Sequence, residues 1–180
     1  MSSLRPAIFI DRDGTLMEDV PWITNPAEVR LFPGVREALQ DLKRAGFRVV
    51  MVTNQSGIGR GWMTVAQFEA VQARLLELLG SDVFDGIYMC PDRPDAPSER
   101  RKPAPGMIFE AARDLKIDLA RSWMIGDKAS DVECGQNANV KSVQVRTGEG
   151  EKQRSAEAVY FAEGFEEAVR FVLREVGAAS

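Results

Sequence analysis

The sequence predicts an α/β fold, a parallel sheet of about five strands covered by helices on both faces. Two patterns and a length carry this. Short apolar runs alternate with longer stretches of helical periodicity, and the runs are nearly continuous in hydrophobic residues, as strands covered on both faces must be. A chain of 180 residues can bury a substantial core, so 1–180 is expected to form a single domain.

In chain order, the expected strands are "AIFI" (7–10), "RVVMVT" (48–53), "GIYMC" (86–90), "SWMIG" (122–126) and "SVQV" (142–145), each bounded by turn or charged residues. Between the first two, "GVREALQDLKRAG" sets Val35, Leu39 and Leu42 on one helical face and stops at Gly46. Thr64 begins the next helix, with Gln67 as capping-box partner and Phe68, Val71, Leu75 and Leu78 as its apolar stripe. Pro105 opens a third helix to about Leu115, a fourth starts near Ala129, and the last covers roughly Phe165 to Glu175. Segment 91–105 is Pro-rich and charged, a long loop of the kind that often carries function, and 147–156 reads as a mobile surface loop.

In sheets of this type, ligands bind beyond the carboxyl ends of the strands. Asp11, Thr53 and Asp127 each stand at or just past the end of a different expected strand, so the fold gathers them on one rim.

The chain contains no histidine, which removes Ser-His-Asp and Cys-His hydrolysis, imidazole acid–base chemistry and His-ligated zinc together. Carboxylates, Lys, Arg, hydroxyls and a hard cation are left to do any catalysis. The net charge of −4 speaks against a dedicated nucleic-acid binder, and no apolar stretch reaches the length of a membrane span. "MSSLRP" has no apolar run after its single Arg, so no secretory signal is expected. Two cysteines without a disulfide framework point to a reducing, cytoplasmic setting.

Asp11 and Asp13, at i and i+2 in an extended segment, can address one region of space. One carboxylate could attack an electrophile while its neighbour protonates the leaving group and later activates water. An ordinary Asx turn after the strand accounts for the same residues. Asp127 precedes the helix near Ala129, where it could cap that helix or, with Asp11, bind Mg2+. Thr53 and Lys102 offer a hydroxyl and a point charge suited to the equatorial oxygens of a phosphoryl group, although such residues also end strands and coat surfaces.

The ordered set is more telling than its members. D-x-D-G-T at Asp11–Thr15, an apolar strand ending in Thr53, Lys102-Pro103, and G-D-x-x-x-D at Gly126–Asp131 resemble the haloacid dehalogenase-like (HAD) superfamily. The likeness covers nearly all the chain to about Gly148. It implies a HAD-like fold, a Rossmann-like three-layer sandwich, and Mg2+-dependent phosphoryl transfer. Asp11 would form an aspartyl-phosphate, Asp13 would be the general acid/base, and Thr53 and Lys102 would hold the phosphoryl group. Mg2+ would be held by Asp11, the main-chain carbonyl of Asp13 and Asp127, with Asp131 in support. The acid at position 13 favours a phosphatase over a dehalogenase. The intervals between the motifs leave no room for a cap domain, so loops 17–30, 55–62 and 91–104 shape the rim.

"VTNQSGIGRG" (52–61) with "RRKPAPGM" (100–107) is similar to the branch that holds heptose-bisphosphate and histidinol-phosphate phosphatases. By that likeness Asp19, Trp22, Asn54, Gln55, Ser56, Arg101 and Lys128 would contact substrate. Trp22 could pack on the sugar or staple the flap's own core. Arg101 beside Lys102 suits a bisphosphate, because a planar guanidinium grips a second phosphate bidentately. Zinc-bearing relatives carry C-x-H and C-x-C in the long loop. Here those positions read Cys90, Asp92, Ser98 and Arg100, so no structural Zn2+ is expected, and Pro91, Pro94, Pro97 and Pro103 would stiffen the loop instead.

The expected function is that of a monomeric, Mg2+-dependent phosphatase of a small sugar phosphate, with the 7-phosphate of a heptose bisphosphate as the leading substrate group. Histidinol phosphate is the alternative, for which Glu18, Asp19 or Asp92 would supply a carboxylate to the cationic amine. A polynucleotide 3'-phosphatase would need a basic aromatic groove that is not visible. A non-catalytic interaction protein would have lost a catalytic position, and none is missing.

Overall fold

The computed structural model describes residues 4–178. Strands β1 (Ala7–Ile10), β2 (Arg48–Asn54), β3 (Gly86–Cys90), β4 (Trp123–Gly126), β5 (Lys141–Val145) and β6 (Tyr160–Ala162) form one sheet in the order β3-β2-β1-β4-β5-β6. All five pairings are parallel. Side chains alternate across it. Ile8 and Ile10 enter one core with Val49, Met51, Trp123 and Ile125, while Ala7 and Phe9 enter the other with Val50, Val52 and Met124. Every residue of β1 and β4 is buried, which is why neither run shows the polar alternation of a one-sided sheet.

Helices α1 (Val35–Arg44), α3 (Val65–Leu79) and α6 (Phe165–Ala178) supply the first core; α4 (Gly106–Leu115) and α5 (Ala129–Asn137) supply the second. A single turn, α2 (Ser56–Gly59), follows β2. α1 buries Val35, Ala38, Leu39 and Leu42, and α6 buries Phe165, Ala168, Val169 and Val172, both at i, i+3, i+4, i+7 spacing. At about 1.5–3 kcal/mol for each fully buried large side chain, these stripes hold the layers together more than helix propensity does. The expected capping box is present: Gln67 N–H donates to Thr64 Oγ1 (3.2 Å) and Thr64 N–H to Gln67 Oε1 (2.8 Å).

Three details depart from the sequence reading. β6 adds a sixth strand; it is three residues long and pairs only with β5, too short to show a period of two. α6 continues to Ala178, past Glu175. In α3 the enclosed residue is Leu79, with Leu78 only partly buried, because Leu79 lies closer to the axis of the stripe through Phe68, Val71 and Leu75.

The strand order positions the site. β1, β2 and β3 run towards one edge, and the chain then returns to lay β4 on the other side of β1. The ends of β1 and β4, the pair at which the order reverses, carry Asp11 and Asp127. Asp11 N–H donates to Ile125 O (3.0 Å), so the ladder extends as far as the first acid. Among the described residues no cap domain interrupts the chain; the flap after β1 contains one 3-10 turn, Pro26–Glu28, and a bridge between Met17 and Leu31.

Candidate active site

Beyond β1 the chain turns tightly, with Arg12 O accepting the N–H groups of Thr15, Leu16 and Met17. The turn brings Asp13 to the wall of a cavity of about 520 Å3, which Lys102 also lines, and leaves Asp11 buried beneath them. Lys102 Nζ lies 2.5 Å from Asp11 Oδ1, 2.7 Å from Asp131 Oδ1 and 2.9 Å from Val52 O, so all three of its protons are engaged. Burial alone would lower the pKa of this ammonium, but the two carboxylates outweigh it and hold it above the usual lysine range.

The sequence left Asp127 as helix cap or metal ligand. It does not cap α5: the carboxylate at that helix start belongs to Asp131, whose Oδ2 accepts Lys128 N–H (2.9 Å). Asp127 Oδ2 accepts Glu149 N–H (2.8 Å), and Oδ1 is buried without a hydrogen-bond partner. One oxygen from each of Asp11, Asp127 and Asp131 lies within 4.8 Å of the others. Burial, reinforced by the neighbouring acids and opposed by Lys102, pushes Asp11 up to about 6. Burial, again first, with Asp11 and Asp131 adding, pushes Asp127 up to about 8. Three crowded carboxylates share one contacting lysine and leave one oxygen orphaned, and a hard divalent cation that takes oxygen ligands fits them.

Two glycines aim Asp127. Gly14 (φ +84°) and Gly148 (φ +59°) face each other, and a Cβ on either would stand 2.3 Å from Asp127 Oδ2. Thr147 Oγ1 donates to Gly14 O (2.6 Å), and the wholly buried Gln144 amide donates to Asp127 O (2.9 Å) and Gln153 O (2.8 Å). Segment 147–156, expected to be a mobile surface loop, is therefore stitched onto the acid cluster. A glutamine inside an otherwise buried strand was the signal for it.

The Asp13 carboxylate turns away from that cluster. Arg12 reaches it through Nε (3.1 and 3.2 Å) and Nη2 (3.0 Å), and Gln55 Nε2 donates both to it (2.7 Å) and to Thr53 Oγ1 (2.9 Å). With its oxygen accepting from Gln55, the Thr53 hydroxyl keeps its own proton for another acceptor. Arg12, which the sequence reading did not single out, is fully buried beneath Phe68 (5.2 Å), and its Nη1 has no partner.

The expected substrate contacts all line the cavity, but not all face it in the same way. Asn54 brackets the main chain of Lys102, its Nδ2 donating to Lys102 O and its Oδ1 accepting from Lys102 N, both at 3.1 Å. Gln55 is likewise committed to Asp13 and Thr53, while Ser56 is buried at the start of α2. Lys128 Nζ pairs with Asp19 Oδ2 across the mouth (3.2 Å). Trp22 does not staple the flap's own core: it is 46% exposed and stands edge-on to Trp62, ring centroids 4.6 Å apart. Arg101 hangs on the wall with Nη1 donating to Asp92 O (3.1 Å). In the long loop, Cys90 Sγ and Ser98 Oγ meet Asp92 Oδ2 at 3.4 and 2.6 Å. One thiol and one carboxylate do not make the four-ligand set of a structural zinc.

Residues 99–168 match the HAD-hydrolase-like family model, a stretch that includes Lys102, Asp127 and Asp131. The D-glycero-D-manno-heptose-1,7-bisphosphate 7-phosphatase of Thermosynechococcus vestitus is 37% identical over 93% of this chain and 95% of its own. The chain belongs to the HAD-like hydrolase family. Its similarity within the family extends to the D-glycero-beta-D-manno-heptose-1,7-bisphosphate 7-phosphatase of Escherichia coli K12, 44% identical over 82% of this chain and 83% of that one. A crystal structure of D,D-heptose 1,7-bisphosphate phosphatase from B. bronchiseptica, complexed with magnesium and phosphate, superposes with a TM-score of 0.86. It is 32% identical and covers 94% of this chain and 99% of its own. The first motif of this HAD-like hydrolase, Asp11–Thr15, lies outside the segment matched by the family model, and the sheet brings it to the segment inside.

Proposed function

We propose that this HAD-like enzyme is a Mg2+-dependent phosphatase that converts D-glycero-D-manno-heptose 1,7-bisphosphate to the 1-phosphate. One observation carries the reading: a buried acid–lysine floor for a transferring phosphoryl group lies beneath the cavity that Lys102 lines together with Arg101 and Lys128, cations suited to a second phosphate. The relatives bearing that activity in their names add to it.

The Asp11 carboxylate attacks phosphorus, the P–O bond to the sugar breaks, and Asp13 gives its proton to the departing alkoxide. Asp13 then takes a proton from a water whose oxygen attacks the aspartyl-phosphate, which releases inorganic phosphate and restores Asp11. The Thr53 hydroxyl donates to a non-bridging oxygen, and the Lys102 ammonium turns one proton to another as Asp11 Oδ1 gives up its own share of that lysine to bond phosphorus. Mg2+, held by Asp11, Asp127 and the Asp13 carbonyl with Asp131 behind them, would supply the charge neutralisation that lets an anionic nucleophile approach an anionic phosphate.

Histidinol phosphate finds less support. A cationic amine needs a carboxylate in reach, but Asp19 is paired with Lys128 and Asp92 with the Ser98 hydroxyl, while Glu18 does not line the cavity. We further read the enzyme as one domain over 1–180, monomeric and cytoplasmic; Cys90 and Cys134 are free, buried thiols. Among the described residues no helix is long and apolar enough to cross a membrane. Phosphate release from the heptose bisphosphate and from histidinol phosphate, measured at equal concentrations with Mg2+, tests the substrate. The expected preference for the bisphosphate in kcat/KM is about tenfold or more, and an equal or inverted ratio overturns it.

A further inference from the structure

The loop between β3 and α4 returns the chain to Lys102 and presents Arg101 beside it, and different contacts hold these two neighbours. Lys102 is fixed from outside the loop, by Asn54 on its main chain and by Asp11, Asp131 and Val52 on its ammonium. Arg101 is fixed by the loop itself. Asp92 Oδ2 accepts the Ser98 hydroxyl (2.6 Å), and Ser98 Oγ accepts the N–H groups of Arg100 (3.2 Å) and Arg101 (3.0 Å). A hydroxyl that has donated its one proton to a carboxylate keeps its lone pairs for other donors, and the charge on its acceptor strengthens the chain of bonds. The Asp92 main-chain oxygen closes the ring by accepting Arg101 Nη1 (3.1 Å). The short bond from Ser98 holds the Asp92 carboxyl below its ordinary range. None of these contacts reaches the floor.

We propose that Asp92 and Ser98 are positioning residues for specificity: by fixing the main chain and guanidinium of Arg101, they set the grip on the phosphate that is not transferred. The inference rests on the bisphosphate reading above and deepens it. It separates two quantities that a general loosening of the loop would move together, affinity for the second phosphate and turnover at the first.

The test is a kinetic cycle on heptose 1,7-bisphosphate, with p-nitrophenyl phosphate as a substrate that has no second phosphate. Ser98→Ala is expected to raise KM for the bisphosphate about tenfold with kcat within about twofold, and to leave p-nitrophenyl phosphate hydrolysis unchanged. Ser98→Thr, which keeps the hydroxyl, should restore KM. In an Arg101→Ala background, adding Ser98→Ala should change KM by less than about twofold, since both act through one guanidinium. Equal loss on both substrates, or a full additional KM increase on top of Arg101→Ala, overturns the inference. Should Ser98→Ala melt far below wild type, Asp92→Asn serves in its place, keeping an acceptor oxygen but not the charge; a KM unchanged in that variant also overturns it. Wild-type enzyme that does not prefer the bisphosphate to p-nitrophenyl phosphate refutes the substrate reading, whereas a preference undiminished by Ser98→Ala refutes only the present proposal.

Discussion

Lys102 and its neighbour Arg101 enter the same cavity, one at its floor and the other on its wall. The ammonium of Lys102 is enclosed by two buried carboxylates and a strand carbonyl, with little solvent exposure to screen them. The half-buried guanidinium of Arg101 rests on a main-chain oxygen supplied by a hydrogen-bonded loop. The floor is thus held by buried charges that must all be present together, because an unmatched one is costly. The wall is held by neutral or partly exposed contacts, each of modest worth. Damage to the floor should therefore abolish turnover or the fold, and damage to the wall should weaken affinity.

The largest expected effect is at Asp11. Asp11→Asn should lower kcat by about a thousandfold or more while circular dichroism stays native; substantial residual turnover would sink the nucleophile assignment. Next comes the comparison of the two neighbours by urea unfolding. Lys102→Met leaves Asp11 and Asp131 facing each other and should cost about 3–5 kcal/mol, whereas Arg101→Met should cost less than about 1 kcal/mol. Equal losses would erase the distinction between floor and wall.

The smallest effect sharpens the floor alone. Asp11 and Asp127 have folded pKa values of about 6 and about 8, above their ordinary 3.8. Between about pH 4 and 8 the metal-free fold thus binds more protons than the unfolded chain. The stability these groups contribute is complete below about pH 4 and is lost as pH rises to about 8. Mg2+ competes with those protons, so the rise in Tm on adding it should be a few degrees larger at pH 8 than at pH 6. The same rise at both values would mean that the ion binds elsewhere.

The acids Asp11 and Asp127 were legible in the sequence because their position follows from local facts, whereas Lys102 and Asp131 were reached through the family likeness. A strand end is marked by where an apolar run stops, and parallel topology collects such ends on one rim. The Thr64–Gln67 cap was legible for the same reason. What escaped depends on contacts between distant segments. Gln144, polar inside a buried strand, signals a contact without naming Asp127 and Gln153, which its amide joins. Trp22 and Trp62 meet only because two loops converge. Arg12 has no periodicity to betray its burial, and a three-residue β6 offers too few positions for a pattern.

The glycine pair against Asp127 bears on when this enzyme becomes an enzyme. Every acid and the lysine of the floor precede residue 132, yet Gly148 and the Glu149 amide, which orient Asp127, lie beyond β5 in the chain. During synthesis, a chain that has emerged only as far as β5 owns all its reactive groups and still lacks the piece that points them. The part of the chain that aims the acids is thus made after the acids themselves.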